Sequence, residues 1–383
     1  MQKREVEILK VPSDLDELFK TYRSSRTQGG NLGAAFDVAD RIYKNDATVF
    51  LSVAGAVTPT GAGGYIIDMI ESGHIDVIVA TGANITHDLH FALGTPLFHC
   101  DPHEVDDFEL QKNHQERIYD VLLDPTCISE VGKFIRGLVR QLNLPAPIST
   151  SRFINLLGQA IIANDVSNAH KSFVAMAALK GVPIYCSAPS DSEVGMNYGL
   201  EQMDDKILGR EKTSLVINNS LDFPELAGIF LTASKTALIV IGGGHPKNYV
   251  TQISPFVKED LIYPNIRQNF PRYIQRGPDD IGGLDYMIKI STDVPHFGGC
   301  SGATESENLT WQKIKPKVLH EKDGIEINAD YSLAFPILAA YIKTNIGQRK
   351  PKGLFDRLLN LRDIAMEVRK KRIAVLGLDS KRD

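Results

Sequence analysis

Four short apolar runs, each followed by a loop of small residues and then by a helical pattern, constrain this 383-residue chain more than any other feature. Residues 48–53 lead into Gly55, Ala56 and Val57, and residues 75–80 into Thr81, Gly82, Ala83 and Asn84. Residues 182–185 lead into a polar loop that holds Asp191, and residues 237–241 into Gly242, Gly243 and Gly244. Such unbroken short hydrophobic runs fit strands covered on both faces, and their alternation with helices implies parallel crossovers. The expected fold is therefore α/β, a doubly wound and mostly parallel sheet with helices on both faces and a ligand crevice at the carboxyl ends of the strands. Backbone N–H groups at the helix starts there suit an anionic group. No complete G-x-G-x-x-G with its downstream acid is present, so the glycines read equally well as tight turns.

Between these units, residues 127–144 and 152–164 repeat apolar side chains at helical spacing and are joined through Pro145, Ala146 and Pro147, a turn rather than a domain linker. Residues 222–233 read as a helix and 284–290 as a strand, with Ser291, Thr292 and Asp293 after it. Segment 98–124 is polar and charged. His99, Asp101 and His103 raise the question of a metal, but Pro102 breaks any helical face and no H-E-x-x-H occurs, so a surface insertion or subunit contact is expected and no metal site. Residues 1–30 read as a helical extension ending in a loose connection through Gly29 and Gly30, Asn31 is a possible cap for the helix that follows, and the length allows one large α/β domain or two smaller ones. Residues 347–383 form a basic helical tail with an apolar stripe at Leu354, Leu358, Leu361, Ile364 and Val368.

A net charge of -5 and a pI near 6.1 argue against a nucleic-acid footprint and suit a cationic small molecule. Cys100, Cys127, Cys186 and Cys300 form no C-x-x-C pair and no zinc spacing, so reduced thiols in a cytoplasm are expected. The first residues are charged and lack the apolar core of a signal peptide, and no apolar run is long enough to span a bilayer.

Residues 297–314 concentrate candidate chemistry. Gly298, Gly299 and Gly302 make a flexible loop, Thr304 and Glu307 have capping-box spacing, and the only tryptophan, Trp311, precedes Lys313 by two positions, with Pro316 expected to stop the helix. A lysine amine attacks only when neutral, and burial beside an aromatic ring lowers its pKa. By itself the pattern reads first as a solvated lysine near a helix C-terminus, and Glu307 as its cap partner.

The segment Ser301, Gly302, Ala303, then Glu307, then Trp311, Gln312, Lys313 and Ile314 resembles the active-site signature of the deoxyhypusine synthase family. The likeness continues through residues 328–336 and the triple glycine and spans about residues 31–346. It implies a Rossmann-like fold, NAD as cofactor, and transfer of an aminobutyl group from spermidine or a related polyamine through an imine on Lys313 to a protein lysine or a small amine. It further implies NAD contacts at Gly55, Ala56, Val57, Thr81, Gly82, Ala83, Asp191, Gly243, Gly244, Thr292 and Asp330. Asp191 and Asp330 would be the ribose partners, although either reads as a loop Asp capping the next helix. Glu307 and Trp311 match the amine pocket. Three positions where protein-modifying members carry carboxylates correspond to His87, Met196 and Cys300, and the pocket histidine corresponds to Asn248, or to Tyr249 if the register slips by one. The resemblance implies a homotetramer with active sites between paired subunits. The lost carboxylates leave a homospermidine-type or agmatine-using transferase, an NAD-binding protein without transfer chemistry and a metal-dependent amidino hydrolase as competing readings.

Overall fold

The apolar runs become strands because hydrophobic helices meet both of their faces. In a computed structural model the described residues are 5–142, 144, 147–210, 215–262, 274 and 280–376, so Pro145, Ala146 and the tail from residue 377 lie outside them. Among the described residues the strands are β1 (Thr48–Val53), β2 (Val77–Ala80), β3 (Leu97–His99), β4 (Arg117–Ile118), β5 (Val121–Leu123), β6 (Ile184–Cys186), β7 (Thr236–Ile241), β8 (Tyr286–Ile290) and β9 (Gly324–Ile327). Six of them form one sheet in the order β6-β2-β1-β7-β8-β9, every pair parallel.

Alternate residues of each strand enter different cores. Val49, Leu51 and Val53 of β1 pack with Ala237, Ile239 and Ile241 of β7 beneath the helices Thr27–Lys44, Gly63–Glu71 and Tyr331–Asn345. Phe50, Leu238 and Val240 pack on the other side, beneath Asp222–Thr232, Gly244–Pro255 and Leu358–Val375. The fold is thus the expected doubly wound α/β sheet, each fully buried Val, Leu or Ile contributing about 1.5–3 kcal/mol. The chain runs outward from β1 through β2 to β6, then returns to β7 and proceeds through β8 to β9. Strand order reverses between β1 and β7, which places the crevice at the carboxyl ends of those two strands.

Several local expectations shift. No loose connection precedes residue 31: the helix Leu15–Ser24 is followed almost at once by Thr27–Lys44, and Asn31 is one turn inside it, its amide donating to the Glu326 carbonyl at 2.9 Å. The glycines here are for close helix contact, since a Cβ on Gly33 would lie 2.4 Å from the Tyr22 carbonyl oxygen. Phe19 then stands edge-on to Phe36 and Tyr341, at 5.3 and 5.1 Å between centroids. Strand β8 begins at Tyr286 because Leu284 instead bridges to Ile314. The segment after residue 96 folds into a small antiparallel sheet, β3-β5-β4. The stripe residues Leu354, Leu358, Leu361 and Val368 are buried against Asp222–Thr232, where Gly228 admits the Leu361 backbone.

Candidate active site

Six loops converge at one sheet edge because all six strands point there. After β1, Gly55 has φ +83°; after β7, Gly242, Gly243 and Gly244 have φ +79°, +97° and +61°, a region open to glycine at little cost. The chain is crowded as well: a Cβ on Gly242 would lie 2.3 Å from the Ala54 oxygen, and one on Gly243 would lie 2.6 Å from the Ser301 Cβ. Gly244 opens the helix Gly244–Pro255, which has no side-chain cap, and its N–H donates to Ser301 Oγ at 2.6 Å. After β2, Thr81 caps the helix Gly82–Leu93. Asn84, which reading the chain did not single out as a site residue, ties this loop to the first by donating to the Gly55 oxygen at 2.9 Å and accepting from the Thr58 N–H at 3.1 Å. Gly55 and Ala83 are exposed, Ala56 and Thr81 half-buried, Val57 and Gly82 buried.

Asp191 is exposed in the loop after β6, where Ser192 rather than Asp191 takes the N-cap position of Glu193–Ile207. Thr292 is exposed after β8. Asp330 caps Tyr331–Asn345, one carboxylate oxygen accepting from the Ser332 N–H at 2.7 Å, while the residue stays exposed. Glycine loops drawn close to neighbouring segments of the chain, two helix starts and exposed carboxylates on flanking loops together fit a dinucleotide.

Lys313 stands on an irregular turn, not on a helix. Thr304 accepts from the Glu307 N–H at 3.1 Å and caps Glu305–Thr310, but Gln312 takes φ +56° and ends any helical path before Lys313. Pro316 starts the next short helix, Pro316–His320, rather than stopping the previous one. The Lys313 N–H donates to the Asn308 oxygen and its carbonyl accepts from the Leu284 N–H, both at 2.9 Å, so the backbone is pinned from two sides. Its side chain forms part of a cavity of about 360 Å³ that is also lined by Lys247, Asn248, Cys300, Glu307 and Trp311. Lys313 Nζ donates to Asn248 Oδ1 at 2.8 Å and lies 5.8 Å from the Trp311 ring centre. The indole is 61% exposed, so it forms a rim rather than a roof. Burial holds the Lys313 amine below its ordinary pKa, with Cys300 and Glu307 opposing that shift. Asn248 orients the nitrogen without stabilising the ammonium as a carboxylate would.

Two further lysines were not anticipated. Lys247, 2% exposed, donates to the carbonyls of Cys300 and Ala303 at 3.1 and 3.4 Å; burial, then the neighbouring Lys289, pushes its pKa down to about 8. Lys289, fully buried in β8, donates to the carbonyls of Ser301 and Ala303 at 3.0 and 3.2 Å and pairs with Glu326 at 3.0 Å. Beside them Glu305 is pushed up to about 7 by burial and by Glu326, with Lys289 opposing. A lone lysine in the otherwise apolar run of β8 was the available signal.

The remaining candidates lie elsewhere. Tyr249, next to Asn248, is buried in the core with its hydroxyl 3.0 Å from Asp222 Oδ2 and donating to the Asn219 oxygen at 3.1 Å. His87 is half-buried on Gly82–Leu93, 5.3 Å from the His90 ring, its pKa lowered by burial, and Met196 is exposed on Glu193–Ile207. None of the three lines the Lys313 cavity. Among the described residues no group of three or more His, Cys, Asp or Glu is placed to hold a metal ion, and no helix is long and apolar enough to cross a membrane.

The family model described as deoxyhypusine synthase matches residues 17–342. A deoxyhypusine synthase-like protein of Cyanothece sp. is 36% identical over 355 residues, covering 90% of this chain and 81% of the relative. The Archaeoglobus fulgidus protein named "Probable deoxyhypusine synthase 2" is 30% identical over 326 residues, covering 85% of this chain and 96% of the relative. A crystal structure of a "putative deoxyhypusine synthase" from Entamoeba histolytica superposes with a TM-score of 0.53 at 14% identity over 88% of this chain and 95% of that one, a likeness of fold.

Proposed function

The chain belongs to the deoxyhypusine synthase family, and from that premise we propose that it is an NAD-dependent aminobutyl transferase working through an imine on Lys313. The supporting observation is the Lys313 amine itself, half-buried, held below its ordinary pKa and oriented by the neutral Asn248 in a cavity lined by the helix that Gly244 opens. A larger neutral fraction at physiological pH makes it a better nucleophile than a surface lysine.

NAD would be held by the loops after β1, β2, β6, β7, β8 and β9, through Gly55, Ala56, Val57, Thr81, Gly82, Ala83, Gly243, Gly244 and Thr292, with Asp191 and Asp330 toward the ribose hydroxyls. Bound there, it supplies the two-electron acceptor and donor that make the carbon beside a polyamine nitrogen electrophilic and later return it to an amine. Lys313 contributes the amine that adds to that carbon, releasing the donor's remaining diamine and keeping the aminobutyl group as an imine. An acceptor amine then displaces Lys313 by the same exchange, and Lys313 leaves with its nitrogen restored. Glu307 and the Trp311 face bind the cationic end of the substrate at the rim.

Among the described residues Glu307 is the only carboxylate lining this cavity, and Lys247 adds positive charge. That balance favours a donor with fewer cationic groups than spermidine, such as the small diamine of a homospermidine-type reaction or a guanidino-amine such as agmatine. Exposed Trp311 and Phe297 near the cavity support a subunit contact there, as a homotetramer with sites between paired subunits would make. The test is a screen of polyamines with NAD in which products are identified by mass. Transfer by wild type but not by Lys313→Ala supports the reading, and transfer that survives Lys313→Ala refutes it.

A further inference from the structure

The chemistry assigned to Lys313 leaves Lys289 without a purpose, although its burial is costly. It sits in the middle of β8 at 0% exposure, where an apolar residue would suit the sheet and where desolvating an ammonium costs several kcal/mol. Its nitrogen ends on three oxygens: the Ser301 carbonyl, the Ala303 carbonyl and Glu326 Oε2. Lys247 holds the Cys300 carbonyl and shares that of Ala303. Segment 300–303 is therefore gripped by its backbone from below. Its side chains face the site: Cys300 lines the cavity with Lys313, Ser301 Oγ receives the Gly244 N–H, and the segment runs directly into the Thr304 cap that sets Glu307.

We propose that Lys289, anchored by Glu326, is a positioning residue that fixes segment 300–303 so that Cys300 and Glu307 face Lys313 and Ser301 meets the triple-glycine loop. This rests on the reading of Lys313 as the reacting amine. The charged groups packed around Lys289 are Glu326 on β9, Glu305 from Glu305–Thr310 and Lys247 from Gly244–Pro255. Oε1 of Glu305 and Oε1 of Glu326 are buried and accept no hydrogen bond, so removing Lys289 alone strands two carboxylates and confuses lost charge with lost position. Replacing Lys289 and Glu326 together avoids this.

The experiment compares full-length wild type, Lys289→Arg, the paired variant Lys289→Met with Glu326→Leu, and Lys313→Ala. Each is assayed for thermal midpoint, for the rate at which iodoacetamide alkylates Cys300 (followed by peptide mass), and for kcat and KM of the amine with NAD. The paired variant is expected to keep the wild-type midpoint, to change the alkylation rate of the already exposed Cys300 several-fold as its segment moves, and to lose about 10- to 100-fold in kcat, the size of effect that a displacement near 1 Å produces. Lys289→Arg, which can still reach two carbonyls, recovers most of both. Wild-type alkylation or wild-type kcat in the paired variant overturns the proposal. Lys313→Ala separates the two readings: it abolishes transfer, whereas adding the paired replacement to it still changes the Cys300 alkylation rate several-fold. If wild type transfers nothing, the reading of Lys313 fails, and the Cys300 rate still decides whether Lys289 holds the segment.

Discussion

The loops after β1 and β7 and the segment after β8 meet at one crevice but are made of opposite materials. The first two are backbone: Gly55, Gly242, Gly243 and Gly244 take positive φ, and a Cβ on Gly242 or Gly243 would collide with Ala54 or Ser301. The third is held by buried charge, with Lys247 and Lys289 gripping carbonyls while Glu305 and Glu326 crowd around them. A backbone cradle is sensitive to volume and indifferent to pH. A site that must present a neutral amine is sensitive to charge, and its energetics move with protonation.

Substitutions on either side test that contrast. The largest effect is expected from Lys313→Ala, which should lower transfer by about a thousandfold or more while leaving the NAD-induced thermal shift in place. Next is Glu305→Gln. The folded pKa of Glu305, about 7, lies above its ordinary 4.5, so its contribution to stability is full below 4.5 and is lost as pH rises through about 7. Glutamine keeps the uncharged form, so relative to wild type the variant should gain on the order of 3 kcal/mol between pH 4 and pH 8 in denaturant titrations. Gly243→Ala, strained at φ +97° and pressed on Ser301, should cost about 1–3 kcal/mol at every pH and abolish the NAD-induced thermal shift; a pH-dependent loss would break the contrast. The smallest effect is Asn248→Asp. A carboxylate beside Lys313 favours the ammonium, so the ascending limb of the pH–rate profile, where the amine becomes neutral, should move up by about one unit, with a smaller shift for Asn248→Ala.

The parts legible in the chain are those whose cause is local. The strand runs and their loops give the sheet, and Glu307, Trp311 and Lys313 are neighbours in sequence. Asn248 and Tyr249 could not be separated by pattern, but they lie about 100° apart on one helix, so one turns to the cavity and the other to the core. Lys289 escaped notice because a buried charge depends on partners from other elements, here Glu326 on β9 and two loop carbonyls. Strand β9 escaped with it, being four residues long and interrupted by that glutamate. The helix start at Thr27 was obscured because Gly29, Gly30 and Gly33 resemble a loop, while Gly33 in fact admits the Tyr22 backbone.

Borohydride trapping tests the chemistry most directly. Incubated with NAD and a polyamine that supports turnover, then reduced, the protein should carry a stable aminobutyl adduct on the peptide containing Lys313 and on no other lysine. An adduct confined to a different lysine, or turnover with no adduct under conditions that trap authentic imines, would contradict it.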